Sequence, residues 1–335
     1  DPDSRHPRWT NNWLTGANDY MSNYFMWQMN FGYGVQDPRM RFYFYRQRNA
    51  NSSNPNEIRC VLEQVPAHYP QLAGGAVVPG EGGLPPGIDS SPANTAWVRT
   101  FCFPTGTGYW GRDHVDPQGI PPDALARTTW GSYPVGGRFD ANNALPVNNA
   151  STTTNSMRGA GFQPIMMRAF VDFMFAEAAN YLGLTPPGAN NTALLRYEAG
   201  IRNSMTDVRG WAVNGTFGSN SFGPAPTQTA TIEAFQSTAD YQTAVNTYVA
   251  SALASYTAQT DNNGRMNYIA REYWISLVGN GIESYNLYRR TGMPSGMQPT
   301  ISPNSNSYPR TFWYPVVYEA RNANAEQKAN LTVRV

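Results

Sequence analysis

Lysine is almost absent: Lys328 stands alone against 23 arginines in a chain of 335 residues. Charged side chains make up 14%, well below the ~25% usual for a soluble domain. The arginines form no run, and the net charge is +1. Phosphate binding draws on clustered Lys and Arg, so this balance argues against a nucleic-acid partner. Cysteine is scarce too, with only Cys60 and Cys102. Their separation permits a disulfide, but two buried thiols fit as well. The three histidines, His6, His68 and His114, lie far apart and no CxxC is present, so a metal centre is not expected. No apolar run reaches the ~18 residues of a membrane-spanning helix. The opening Asp1-Pro2-Asp3 is no signal peptide.

Neutral polarity and aromatics fill the gap. The chain carries 32 Asn, 30 Gly, 26 Pro, 20 Tyr and 9 Trp. Gly and Pro at this density predict long loops. Hydrophobic residues at 41% still supply a core, so wholesale disorder is excluded. The length suits one large domain or two intimate lobes.

Periodicity predicts helices over residues 11–31, 164–182, 192–205, 238–256 and 266–290. In the first, Trp13, Ala17, Tyr20, Tyr24, Trp27 and Phe31 form one stripe, read as core. Arg41 to Tyr45 reads as a strand. Residues 165–182 are apolar nearly all round, which predicts a helix buried between others. Pro164 suits its first turn and Gly183 its end. Residues 206–236 read as a loop. Ser237-Thr238-Ala239-Asp240 is a capping signal. Gly279 and Gly281 fall inside the last predicted helix, where they would serve close packing at about 1 kcal/mol each in propensity. Residues 46–160 form a loop-rich lobe, 161–295 a helical scaffold and 296–335 an irregular tail.

Catalytic signatures are missing. There is no GxSxG, Walker loop or HExxH. Asp113-His114 could be half of a triad, though adjacency in sequence says little about geometry. Asp261-Asn262-Asn263-Gly264 begins like a calcium loop but lacks the closing acidic ligand, so a simple turn is expected.

The C-terminal half carries an ordered set of motifs. Gln163-Pro164-Ile165-Met166-Met167-Arg168 leads into Phe173-Met174-Phe175-Ala176-Glu177-Ala178-Ala179. Tyr197-Glu198-Ala199-Gly200-Ile201-Arg202-Asn203-Ser204-Met205 follows, then Arg271-Glu272-Tyr273-Trp274-Ile275-Ser276-Leu277 and Gly281-Ile282-Glu283-Ser284-Tyr285. Arg289 to Pro294, Tyr308-Pro309-Arg310, Tyr314-Pro315 and Glu319 to Asn322 complete the series. Together with Asp37-Pro38-Arg39 upstream, this set resembles the SusD/RagB family of Bacteroidota outer-membrane lipoproteins, in its SusD-like subfamily. The resemblance covers about residues 1 to 325 of the chain. Phe170 departs from the family's frequent acidic residue, and Phe312-Trp313-Tyr314 is heavier than usual.

The resemblance implies a mainly α fold of tetratricopeptide-like helix pairs with a large loop-rich lobe and short strands. It implies a chain corresponding to the C-terminal two thirds of such a protein, with the N-terminal part and its lipidated Cys outside. The implied function is non-enzymatic and needs no cofactor or metal. It is capture of an oligosaccharide or peptide at the outer face of the outer membrane for a SusC-like TonB-dependent transporter. The alternatives are an extracellular glycoside hydrolase, which needs two carboxyls roughly 5–9.5 Å apart, and a purely structural subunit. No ligand residue transfers by motif. Chemistry instead points to Tyr109, Trp110, Arg112 and Asp113, flanked by Gly108 and Gly111. Trp130 before Gly131 offers a second stacking wall.

Overall fold

The computed structural model describes residues 5–14, 16–48, 71–72, 76–77, 108–109, 111–115, 127–143, 145–147, 156–183, 192–217, 220–221, 228–298 and 312–328. The expected sites at Trp110, Cys60 and Cys102 lie outside the described residues. Helices dominate, and every sheet among the described residues has two strands.

The first predicted helix is broken. Helix α1 (Pro7–Trp9) runs into a π-helical turn (Thr10–Leu14), and α2 (Asn23–Phe31) starts afresh. The reason lies in Asn12, whose Oδ1 accepts from the backbone N–H groups of Asn18 and Asp19 at 3.0 and 2.7 Å. That side chain offers the backbone a loop in place of a helix, and Gly16 takes a φ of +111°. Ser22 then caps α2 by accepting from the Phe25 N–H. Trp13, Tyr24 and Trp27 are buried as the stripe predicts, whereas Tyr20 is half-buried at a surface cleft.

The expected strand at Arg41 to Tyr45 is mostly helix: α3 (Met40–Tyr43) precedes β1 (Phe44–Tyr45). Asp37 accepts from the Arg39 N–H and starts a turn that continues for one helical cycle. A hairpin pairs β2 (Gln71–Leu72) with β3 (Ala76–Val77). β4 (Thr129–Trp130) lies antiparallel to β1, with Phe44 opposite Trp130.

The scaffold is α4 (Arg168–Leu182), α5 (Ala193–Asn214), α6 (Thr229–Phe235), α7 (Thr238–Thr257), α8 (Asn262–Ser276) and α9 (Gly281–Thr291). Thr216–Phe217 (β5) and Asn220–Ser221 (β6) form a hairpin after α5. α4 begins at Arg168, four residues later than Pro164 suggests. Gly183 ends it in the left-handed region. α5 runs nine residues past its predicted end, and α6 falls in the expected loop 206–236. Ser237 caps α7 by accepting from the Asp240 N–H. Asp261-Asn262-Asn263-Gly264 is an N-cap, with the Asp261 carboxylate accepting from Gly264 N–H at 2.8 Å. The single helix expected over 266–290 is two helices. Gly279 at φ +94° makes the break, and a Cβ there would meet Pro134 and Pro164 at 2.7 and 2.9 Å. Gly281 starts α9 with open space around it, so neither glycine packs inside a helix. The tail contains α10 (Val316–Arg321).

The core is aromatic. Phe173 stacks on Tyr273 at 5.6 Å and Tyr197 on Tyr256 at 5.1 Å. Gly200 lets α5 approach α4, since a Cβ there would meet the Phe173 ring at 2.7 Å. α4 itself is buried on one face only; Met174, Phe175, Tyr181 and Leu182 are exposed, contrary to the all-round apolar pattern. Running through this core is a charged network. Arg39 binds Asp37 and, at 2.7 Å, Glu272 of α8, all at 0% side-chain exposure. Ser204 of α5 and Tyr248 of α7 complete the set. The N-terminal turn is thereby tied to three scaffold helices.

Candidate functional site

A cleft of about 470 Å³ opens between the N-terminal segment and the α8–α9 junction. Its walls include Tyr20, Phe25, Phe44, Trp130 and Trp274, with His6, Arg8, Gln163 and Ser284 among the polar groups. Pockets that take small ligands combine apolar walls with a few placed polar groups, and this cleft has that make-up.

Trp130 is set from several directions. Its backbone is fixed by the β1–β4 pairing, and its carbonyl accepts from the buried Trp13 indole at 3.1 Å. Gly131 passes so close to α3 that a Cβ there would collide with the Phe42 carbonyl. The Trp130 indole N–H donates to Asp19 Oδ2 at 2.9 Å. Asp19 also accepts from Asn12 at 2.8 Å and from Arg8 at 3.0 Å to each oxygen. Burial works to raise the Asp19 carboxyl, but the Trp130, Asn12 and Arg8 donors outweigh it and hold the pKa below the usual carboxylate value. The same Asn12 whose Oδ1 breaks the predicted helix thus orients the carboxylate that orients Trp130.

The other wall is ordered by aromatic and cation contacts. Phe25 meets Trp274 edge-on at 4.6 Å and Phe44 at 5.8 Å. The guanidinium carbons of Arg112 and Arg127 lie 3.3 and 3.7 Å from the Tyr20 ring centroid. Arg127 also donates to the Tyr20 hydroxyl at 2.5 Å. Beside the cleft, His114 joins Ser22 Oγ through Nε2 and the Gln298 carbonyl through Nδ1, each at 2.9 Å. Burial pushes the His114 pKa down. The bonds of the His114 ring among the described residues go to Ser22 and Gln298, and Asp113 accepts from Gln298 Nε2 at 2.7 Å.

The residues singled out by chemistry therefore separate. Trp130 lines the cleft. Arg112 stands behind it against Tyr20, its backbone bridged to Met21 and Asn23. Asp113 is buried. Tyr109, at 4% exposure, packs in the core under the Arg46 guanidinium 4.6 Å away, so its ring offers no ligand surface in this conformation. Tyr20, Trp274, Asp19 and Arg8 went unseen. Tyr20 matched a helical stripe, Trp274 sat in a scaffold motif, and neither Asp19 nor Arg8 had a local signal.

Fold and cleft together define a helical scaffold carrying a loop-built aromatic pocket. Residues 125–315 match the SusD-like family described as "Starch-binding associating with outer membrane", and the chain belongs to that family. A solved structure described as "Bacteroidetes AC2a SusD-like" is similar at 20% identity with a TM-score of 0.33, covering 62% of this chain. The alignment spans 30% of that structure's own length. A comparison with curated proteins finds no match. No helix among the described residues is long and apolar enough to cross a membrane.

Proposed function

We propose that the chain is a glycan-binding subunit at the outer face of the outer membrane, held there by a lipid anchor. In this reading it hands its ligand to a SusC-like TonB-dependent transporter. The family's starch-binding description supports a glycan over a peptide. The observation that carries the reading is Trp130: an indole locked by Asp19 in the wall of an open cleft, with Tyr20 and Trp274 as further aromatic walls. The Trp130 and Trp274 rings offer apolar surface to a sugar, Tyr20 offers its edge because Arg112 and Arg127 cover its faces, and Arg8, Gln163 and Ser284 supply hydrogen bonds. Among the described residues no carboxylate lines this cleft. Asp19 behind it is already saturated by donors, which favours binding over the two-carboxylate chemistry of a glycosidase.

Calorimetric titration with starch-derived oligosaccharides tests this. Trp130→Ala should weaken binding by about tenfold or more, the equivalent of ~1.4 kcal/mol. Glycan turnover by the purified protein, or no binding across a panel of glycans, would sink the proposal.

A further inference from the structure

The polar groups that the cleft leaves unspent are divided between its two sides. On the N-terminal side, Arg8 lines the cleft with a side chain 58% exposed. Only its Nη1 is used, donating to both oxygens of Asp19; Nε and Nη2 have no acceptor among the described residues. His6, two residues away, accepts the Arg8 backbone N–H on Nδ1 at 3.2 Å. Burial and then Arg8 lower its pKa. At neutral pH the ring is therefore uncharged and its proton sits on Nε2, which has no acceptor among the described residues either. Across the cleft, Gln163 donates its amide N–H to the Gly279 carbonyl, which leaves its Oε1 to accept. The Ser284 hydroxyl carries no bond among the described residues. One side thus offers only donors, while the other can accept. Asp19 does not relieve the donor side. Its two oxygens already take four bonds, two from Arg8 and one each from Asn12 and Trp130, about the full capacity of a carboxylate.

We infer that the ligand of this cleft is an acidic glycan, whose sugar places a carboxylate or sulfate against Arg8 and His6. The inference rests on the cleft being a glycan site and names the class of glycan. A hydroxyl set between Arg8 and His6 accepts from them, but its own proton then points at donors, and no carboxylate lines the cleft among the described residues. Polar groups left unmatched in this way are what a hydrogen-bonding site discriminates against. An oxyanion has no proton to place and takes donors only. The Nε and Nη2 edge of a guanidinium presents two parallel N–H groups, the fork that fits a carboxylate. Asp19 is no obstacle to a second anion, because one guanidinium in this chain already serves two carboxylates. Arg39 donates to Asp37 through Nε and Nη2 and to Glu272 through Nη2. The ordinary hydroxyls of the sugar are left to Gln163 and Ser284.

The experiment is calorimetric titration of the full chain with two matched pairs of short oligosaccharides. One pair is oligogalacturonate and its methyl ester; the other is a malto-oligosaccharide bearing sulfate esters and its neutral parent. In at least one pair the acid should bind about tenfold tighter or more, the scale of a hydrogen bond to a charged group. Arg8→Gln should bring that ratio close to one. The ratio compares two ligands on one sample, so a partly unfolded variant does not imitate the loss. A gain in the first pair alone assigns the oxyanion to a uronate, and a gain in the second alone to a sulfate ester. Equal affinity within both pairs, or a preference that survives Arg8→Gln, overturns the inference and leaves the glycan reading standing. Binding of none of the four removes the glycan reading itself, and the inference with it.

Discussion

Arg39 and Arg8 each hold a carboxylate close by in sequence, Arg39 at 0% side-chain exposure and Arg8 at 58%. Around Arg39, Asp37 and Glu272 are buried, and each nitrogen of the Arg39 guanidinium has an acceptor. Around Arg8, the Asp19 carboxylate is shared with Asn12 and Trp130, and the guanidinium faces the cleft. The same pair of chemical groups therefore serves two ends. Buried charge holds only where it is paired, so the first cluster specifies one arrangement of turn and helices. The second cluster positions an indole while staying wet, and its Coulomb attraction is screened.

The comparison is tested hardest by Arg39→Met. Removing the guanidinium leaves Asp37 and Glu272 as buried carboxylates with no cation between them. Breaking a buried pair costs about 3–5 kcal/mol, so denaturant midpoints should fall sharply. A loss under ~1 kcal/mol, the range of a surface ion pair, would erase the distinction between the two clusters.

A second, smaller effect belongs to the scaffold alone. Gly200→Val drives a branched side chain against the Phe173 ring, where even a Cβ would lie at 2.7 Å. Overpacking of this kind costs about 1–3 kcal/mol. Oligosaccharide affinity should be unchanged, because neither residue lines the cleft. Lost affinity together with lost stability would mean that scaffold and cleft are mechanically coupled.

How far the sequence revealed these regions follows the range of the forces involved. Ser237 and Gly183 act within a turn of their helices, and both were legible as punctuation. Trp130 was legible because glycine follows it in a loop-rich stretch. The break after Leu14 was not, since it depends on Asn12 bonding six and seven residues ahead. Tyr20 satisfied a helical spacing that the chain does not use there. The Arg39–Glu272 pair spans 233 residues, and the sequence showed only the Asp37-Pro38-Arg39 turn at one end of it. Tyr109 misled for the opposite reason: flanking glycines suggested a free ring, while Arg46 covers it.

The cleft region should show a pH dependence of its own. His114 is held below its ordinary value of 6.5, mainly by burial and against the Gln298 carbonyl bond. The native state therefore binds that proton less readily than the unfolded chain. Stability is complete above about pH 6.5 and falls as pH drops from there towards the folded-state pKa. His6 is lowered as well, by burial and by Arg8, and adds a slope of the same sign. Urea midpoints measured from pH 7.5 to 5 should decline, and His114→Gln should flatten part of that decline. An unchanged slope in the variant would assign the dependence elsewhere.

The smallest expected effect is that of Arg8→Ala on stability. The Arg8 guanidinium is mostly solvated, and exposed ion pairs contribute about 0–1 kcal/mol. Asp19 would keep its bonds from Trp130 and Asn12, so the indole stays in place. The melting temperature should therefore shift by only a degree or two, given that ~1 kcal/mol moves it by at most a few degrees for a chain of this size. Ligand affinity is the more sensitive readout, because Arg8 lines the cleft and can donate to a bound sugar. A loss of several-fold at nearly constant stability is expected, with enthalpy accounting for most of it. If Arg8→Ala instead lowered stability as much as Arg39→Met, the Asp19 cluster would be a structural lock, and the difference in exposure between the two arginines would carry no functional meaning.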